Sequence, residues 1–121
     1  MPLPTEGELD LLDVLWKRGP STVREVQDAL SRQAGYTTVL KLLQIMHAKG
    51  LVTRDESART HVYAAAVERE ETEGGLVSEL ARKAFGGSAG RLVMRALSEH
   101  TASAEELAEI RRMLDGVEGA S

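Results

Sequence analysis

Two helix-start signals stand close together near the beginning of the chain. Thr5 and Glu8 have the Thr-x-x-Glu spacing of a capping box, which satisfies two otherwise unpaired backbone amides at the start of a helix. Thr22 and Glu25 repeat that spacing, and Gly19-Pro20 between the two signals ends the first helix. The N-terminal residues therefore predict two short helices joined by a tight turn.

A third helix is predicted from about Tyr36 to Lys49, after a turn that contains Gly35. Its apolar residues recur on one face, and Gly50 suits the left-handed position that ends a helix. Two short β-type runs follow, residues 51–54 and 61–63, and the charged segment between them predicts a hairpin. Three helices and a β-hairpin are typical of the winged-helix form of helix-turn-helix, so the predicted fold is mainly α with a small β-hairpin.

Three more helices are predicted after residue 66, the last opened by a capping box of Ser103 and Glu106, with a frayed tail from Gly116. Their apolar stripes cannot form a separate core in so small a segment, and they therefore need a partner surface. The apolar side chains expected on that surface are Leu76, Leu80, Leu92, Val93, Leu97, Leu107, Ile110 and Leu114.

A two-fold homodimer is the commonest way to cover such a surface, because one patch then serves both chains. Folding of these helices back onto the first domain is the alternative. We expect a winged-helix DNA-binding domain in residues 1–66 and a helical dimerisation domain in residues 67–121. A dimer also suits DNA binding, because paired recognition helices match a palindromic site.

The charge of the chain is unevenly distributed. The formal net charge is -4, and it lies entirely in the second part: residues 1–66 carry eight basic and eight acidic residues, whereas residues 67–121 carry seven and eleven. A segment without any acid, here called the basic strip, runs from Ala29 to Arg54 and contains Arg32, Lys41, Lys49 and Arg54. Such a strip is either a phosphate-facing surface or a solvated face, and the charge pattern leaves both interpretations open.

The predicted third helix supplies the candidates for contact with DNA. In the DNA-binding form of the motif this helix lies in the major groove, and its N-terminal residues meet base edges. Those residues are Tyr36, Thr37, Thr38 and Lys41. Arg54 and Arg59 on the hairpin suit contacts to the DNA backbone or minor groove. The alternatives are that the threonines only start the helix, Tyr36 covers the core and Arg59 is solvated.

The composition excludes several classes of function. The absence of cysteine excludes disulfides and thiolate metal sites, and the three histidines lack metal-ligand spacing, so no cofactor is expected. No phosphate-binding loop or hydrolase motif is present, so no enzyme is expected. Aromatic residues, 3% of the chain, are too few to stack on single-stranded nucleic acid. Without a membrane-spanning run or a signal peptide, a cytoplasmic location is expected.

Several short motifs occur in an order and spacing that is more specific than any one of them. From the N-terminus they are Glu8-Leu9, Val14-Leu15-Trp16, Gly19-Pro20, Thr22-Val23-Arg24-Glu25-Val26, Tyr36-Thr37-Thr38-Val39, Leu42-Leu43, Lys49-Gly50-Leu51-Val52, Arg59, Val62-Tyr63, Phe85-Gly86-Gly87-Ser88, Ser103, Glu105-Glu106-Leu107 and Leu114-Asp115. Taken together, from about Leu3 to Asp115, the sequence resembles the penicillinase repressor family of bacterial transcriptional regulators, of the BlaI/MecI/CopY type.

The resemblance implies a homodimeric repressor. In that family an N-terminal winged helix binds a palindromic operator in double-stranded DNA, and C-terminal helices form the dimer. Carried over by position, the residues that would face the major groove are Thr37, Thr38, Lys41 and Gln44. Arg54, Arg59 and His61 would lie on or near the wing.

The chain also departs from the family's pattern. Ile45 and Ala48 stand where members often carry a basic residue, which removes positive charge near the recognition helix. Arg95-Ala96 stands where antibiotic-sensing members have an Asn-Phe bond that is cut through a membrane-bound metalloprotease pathway. The cysteine-rich tail of copper-sensing members is also missing. The sequence therefore identifies neither the inducer nor a protease that would relieve repression.

The sequence is compatible with two functions from different classes. The first is a homodimeric, sequence-specific DNA-binding repressor, which the basic strip and the family resemblance favour. The second is a winged-helix module that binds another protein and no DNA, which the acidic balance and the missing basic residues at Ile45 and Ala48 favour.

Overall fold

The computed structural model describes residues 3–120, which form six helices and a three-stranded antiparallel sheet. In chain order the elements are α1 (Glu6–Arg18), β1 (Ser21–Thr22), α2 (Val23–Ala29), α3 (Tyr36–Lys49), β2 (Val52–Asp55), β3 (Val62–Ala65), α4 (Arg69–Ala84), α5 (Ala89–Glu99) and α6 (Ala104–Ala120). The chain divides into two compact units, of which the first ends at Val77 and the second begins at Ser78. Within the described residues, no helix is both long enough and apolar enough to cross a membrane.

Both predicted capping boxes near the N-terminus are confirmed. The Thr5 amide donates to Glu8 Oε1 at 2.8 Å, and the Glu8 amide donates back to Thr5 Oγ1 at 3.3 Å. The same reciprocal pair joins Thr22 and Glu25, at 2.9 and 3.2 Å. Each pair satisfies two amides that a helix start would leave unpaired, so α1 and α2 begin where the sequence predicts.

The sheet contains one strand more than the predicted hairpin. β2 and β3 form the expected antiparallel pair, but β1 pairs with the other edge of β3, so the strand order is β1-β3-β2. Ser21 lies opposite Tyr63, and Thr22 lies opposite Val62. A two-residue strand is too short to show a periodic pattern, and Thr22 is also the N-cap of α2, which is why the sequence did not reveal β1.

The core of the first unit lies where α1, α2, α3 and the sheet meet. The predicted apolar face of α3 is confirmed, since Val39, Leu43 and Met46 are fully buried and Leu42 is half-buried. The other buried apolar side chains are Leu11, Leu12, Val14, Leu15, Val23, Val26, Leu51, Val52 and Tyr63. Because one face of α3 is committed to this core, its opposite face is the one available to a ligand.

A buried carboxylate connects the two ends of this helical unit. Glu8 is only 2% exposed, and both of its side-chain oxygens accept from Lys49 Nζ, at 2.8 and 2.9 Å. Burial raises the pKa of the Glu8 carboxyl, but the hydrogen bonds from Lys49 and from the Thr5 amide outweigh it, so the pKa lies below its usual value. The carboxylate thus joins the first turn of α1 to the last turn of α3.

The beginning of α4 is held against α1 by an aromatic residue. Trp16 Nε1 donates to the Val67 carbonyl at 2.9 Å, and the Arg69 guanidinium carbon lies 4.8 Å from the centroid of the Trp16 ring. Arg69 also pairs with Asp13 at 3.1 Å. These contacts span the turn between β3 and α4 and set the direction in which α4 starts.

The second unit is helical and has little buried surface of its own. Ser88 caps α5, and Ser103 and Glu106 form the predicted third capping box ahead of α6. No residue of α5 is buried, nor is any residue of α6 from 104 to 119. The frayed tail expected from Gly116 is wrong up to Ala120, because α6 continues through that segment; Ser121 lies outside the described residues.

We predict that Glu8→Gln lowers the free energy of unfolding by about 1–3 kcal/mol, because the Lys49 ammonium loses its counter-charge in a partly buried place. Since the pKa of Glu8 lies below its ordinary value of 4.5, its stabilisation is complete above that pH and is lost as the pH falls through the lower folded-state value. Urea denaturation should therefore show a gap between the two proteins at neutral pH that narrows in acid.

The matched control for this prediction is Glu6→Gln, which removes an exposed acid from the same first turn of α1. It should change the free energy of unfolding by no more than about 0.5 kcal/mol. A Glu6→Gln effect as large as that of Glu8→Gln would show that the buried pair has no special role.

Candidate nucleic-acid interface

The outward face of α3 brings together most of the residues that the sequence assigned to DNA contact. The members of this set are all exposed and are Tyr36, Thr37, Thr38, Lys41 and Gln44. They lie opposite the buried Val39, Leu43 and Met46, as the helical period requires. Tyr36 is 43% exposed and is not one of the buried core residues, which argues against its role as a cover for the core. The arrangement gives one polar surface without an acidic side chain.

Two cations of the basic strip are paired with acidic residues of α1. Arg32 Nε lies 3.1 Å from Asp10 Oδ2, and Lys49 holds the buried Glu8. Both acids belong to α1, far from the strip in sequence. Lys41, in contrast, makes no ion pair with any described residue. The strip therefore presents less free charge than its composition indicates.

The wing, which is the hairpin of β2 and β3, also carries an internal ion pair. An Arg54 guanidinium nitrogen lies 3.3 Å from Glu56 Oε1, and His61 Nε2 lies 3.8 Å from the same oxygen. Arg54 is only 24% exposed, and its Nε is buried without a hydrogen-bond partner. Arg59 at the tip is exposed and unpaired within the described part of the chain. Of the three predicted wing residues, Arg59 is thus the one whose charge is free.

Sequence reasoning missed one residue at this surface, Arg24. It is exposed on α2, and its guanidinium carbon lies 5.4 Å from the centroid of the Tyr36 ring. The two residues are on different helices, so no local spacing could have connected them. The contact places a further cation beside the start of α3.

The residues predicted to cover a partner surface lie within α4, α5 and α6. Half of them are exposed, namely Leu80, Val93, Leu97 and Leu114, and half are partly covered, namely Leu76, Leu92, Leu107 and Ile110. Four further exposed apolar residues were not predicted: Val77, Met94, Met113 and Val117. Helices α4, α5 and α6 therefore each expose apolar side chains, more than the sequence pattern indicated.

Among residues 3–120, no group of three acidic or histidine side chains is arranged to hold a metal ion. Arg95-Ala96, which the family resemblance placed at the cleaved bond of antibiotic-sensing repressors, is exposed within α5.

Comparison with known families agrees with this geometry. The model of the penicillinase repressor family matches residues 4–116, which is nearly the whole chain. The chain belongs to the penicillinase repressor family. The transcriptional regulator BlaI of Mycobacterium tuberculosis, in two strains, is 36% identical over 118 residues, a match that covers 93% of this chain and 84% of the relative. The predicted family is thereby confirmed, and its members are transcriptional regulators, not enzymes.

Solved structures support the fold. RosR of H. salinarum superimposes with a TM-score of 0.52 at 19% identity, covering 98% of this penicillinase repressor family member and 96% of RosR. A MarR family protein from Bacillus stearothermophilus gives a TM-score of 0.50 at 22% identity, covering 97% of this chain and 74% of that one. The mainly α, winged-helix fold predicted from the sequence is confirmed.

The ion pairs predict that two lysines of α3 differ in their effect on stability. Lys49→Gln should lower the free energy of unfolding by about 2 kcal/mol, because it leaves the buried Glu8 without its partner. Lys41→Gln should change it by no more than about 0.5 kcal/mol, because Lys41 is exposed and unpaired in the described structure. Parallel urea denaturation of the two variants measures the difference, and equal losses would contradict the stabilising role of the Lys49–Glu8 pair.

Proposed function

We propose that this protein is a sequence-specific DNA-binding repressor that acts as a homodimer on a palindromic operator in double-stranded DNA. The observation that carries the proposal is the outward face of α3, which is polar, exposed and free of acid in a chain of the penicillinase repressor family. Residues 1–66 would bind the operator, and residues 67–121 would form the dimer. Action on chromosomal DNA agrees with the cytoplasmic location expected from the sequence.

The face of α3 has the chemistry that the major groove requires. Threonine hydroxyls at Thr37 and Thr38 can donate or accept, and their methyl groups can contact the methyl of thymine. Lys41, one turn further along, can donate to a guanine edge or to a phosphate, and Gln44 can pair with an adenine edge. Arg59 at the tip of the wing suits a contact to the DNA backbone.

The homodimer is supported by the apolar side chains of the second unit. Leu80, Val93, Leu97 and Leu114 are each at least 42% exposed, and Met94 and Met113 are more so. Exposed apolar patches of this kind mark contact surfaces in soluble proteins. A two-fold partner of the same sequence would cover the patch on both chains at once.

A winged-helix module for protein binding is the second candidate. The observation that favours it is the apolar pair Ile45 and Ala48 on the exposed side of α3, where positive charge would strengthen DNA binding. Pull-down of a protein partner, without any salt-sensitive binding to duplex DNA, would favour this candidate over the repressor.

We predict that the paired substitution Thr38→Ala with Lys41→Ala weakens binding to the DNA upstream of the chain's own coding region. The loss follows from removal of one base-edge group and one free cation. A good base contact contributes about 1–3 kcal/mol to the discrimination between the correct and a wrong base, and the variant should lose that preference for the upstream duplex. Gel-shift titration against the upstream duplex and an unrelated duplex of equal length measures both affinity and discrimination.

The matched control replaces a threonine and a lysine outside the winged helix, Thr101→Ala with Lys83→Ala, both exposed. It should bind like the wild type. Equal binding by the α3 variant and the wild type would remove the assigned recognition surface.

We further predict sedimentation at close to twice the chain mass of 13.1 kDa at micromolar concentration. Leu97→Glu should shift the protein towards the monomer, because a charge in a desolvated contact is costly. Ser98→Glu adds the same charge at the next, polar position of α5 and should leave the dimer intact. A wild-type monomer under these conditions would contradict the homodimer.

A further inference from the structure

Arg24 is an exposed residue near the start of α2, and it is ordered by a neighbour on another helix. Its guanidinium carbon stands 5.4 Å from the centroid of the Tyr36 ring, which is within the range of a cation–π contact. Tyr36 is the first residue of α3 and remains 43% exposed. The contact therefore holds a long, flexible side chain at the beginning of the proposed recognition helix.

The charge of Arg24 is not used within the protein. The adjacent Glu25 carboxylate already accepts from Arg18 at 2.9 Å and from the Thr22 amide at 2.9 Å. Asp28 stands four residues after Arg24, a spacing that favours an ion pair on a helix. In the described structure the guanidinium nevertheless contacts the Tyr36 ring and makes no ion pair. The side chain thus combines a defined position with an unpaired positive charge.

Stacking leaves the donors of an arginine available. The guanidinium carbon lies over the Tyr36 ring, and none of the guanidinium N–H groups donates a hydrogen bond to another described residue. The planar fork of these groups matches a pair of phosphate oxygens and can bind them with two parallel hydrogen bonds. Lys41 and Arg59 also have free charge, but no described contact orders either side chain in this way.

We propose that Arg24, held by Tyr36, binds a phosphodiester of the DNA backbone beside the groove that α3 enters. The ligand is a phosphate of double-stranded DNA, and the contact sets the position of α3 without selecting a base. Tyr36 is then a positioning residue for Arg24. This inference rests on the proposed function, and it adds to that function a binding residue on α2.

Arg24→Gln tests the phosphate contact. Loss of one phosphate contact should reduce the dependence of log K on log salt by about one unit for each bound protomer, which corresponds to about five-fold weaker binding per protomer at 0.15 M salt. The loss should be equal on the upstream duplex and on an unrelated duplex, because a phosphate carries no base identity. Arg24→Lys keeps the charge and should keep most of the salt dependence.

Arg91→Gln is the matched control, because Arg91 also lies over an aromatic ring, that of Phe85 at 5.9 Å, but belongs to the second unit. It should leave both affinity and salt dependence unchanged. Thermal unfolding of each variant checks that the substitution has not unfolded the winged helix.

A double-mutant cycle tests the role of the ring. Tyr36→Leu should weaken binding in the wild-type background and have a clearly smaller effect in the Arg24→Gln background, because the ring acts through the arginine. Tyr36→Phe keeps the ring, so Arg24→Gln should weaken binding in this background as much as it does in the wild type. Equal effects of Tyr36→Leu in both backgrounds would overturn the positioning role.

The outcomes separate this inference from the proposed function. If the wild type binds DNA and the Arg24→Gln variant binds with the same affinity and the same salt slope, the inference is overturned but the proposed function is not. A loss confined to the upstream duplex would also overturn it, because it would assign Arg24 to a base edge. Failure of the wild type to bind either duplex overturns both the inference and the proposed function.

Discussion

The buried Glu8 carboxylate is the interaction on which the rest of the winged helix depends. It accepts from the Thr5 amide at the start of α1 and from Lys49 at the end of α3. Because a charge this deeply buried is stable only with its partners in place, the two helix ends cannot move apart independently. The contact between Lys49 and Glu8 therefore fixes the last turn of α3, and with it the direction of the helix's outward face. Gly50 and the strand β2 follow directly after this turn.

Most of the fold could be predicted because its determinants are local. The capping boxes at Thr5 and Thr22 act within three residues, and the apolar face of α3 follows from the helical period. Gly50, with φ of 82°, ends α3 as expected from a residue that tolerates the left-handed region. The missing piece was β1, because its pairing with β3 depends on residues about forty positions away, for which a two-residue segment gives no signal.

The candidate site was predictable in position but not in charge. Periodicity placed Thr37, Thr38 and Lys41 on the exposed face of α3, where the structure has them. Ion pairs, in contrast, join residues that are distant in sequence, as Arg32 is from Asp10. Counting the charged residues within one segment therefore does not reveal them. The Arg24 contact with Tyr36 escaped prediction for the same reason.

The ion pairs of Arg32 and Arg54 affect how the protein would be distributed between random DNA and an operator. A phosphate that takes either arginine must replace a carboxylate already bound to it, so the exchange of one ion pair for another gains little free energy. In the proposed repressor, the unpaired cations Arg24, Lys41 and Arg59 would therefore supply most of the attraction to the backbone. Random DNA, which offers only its phosphates, would hold such a protein briefly, whereas an operator would add base-edge contacts whose strength does not depend on that exchange.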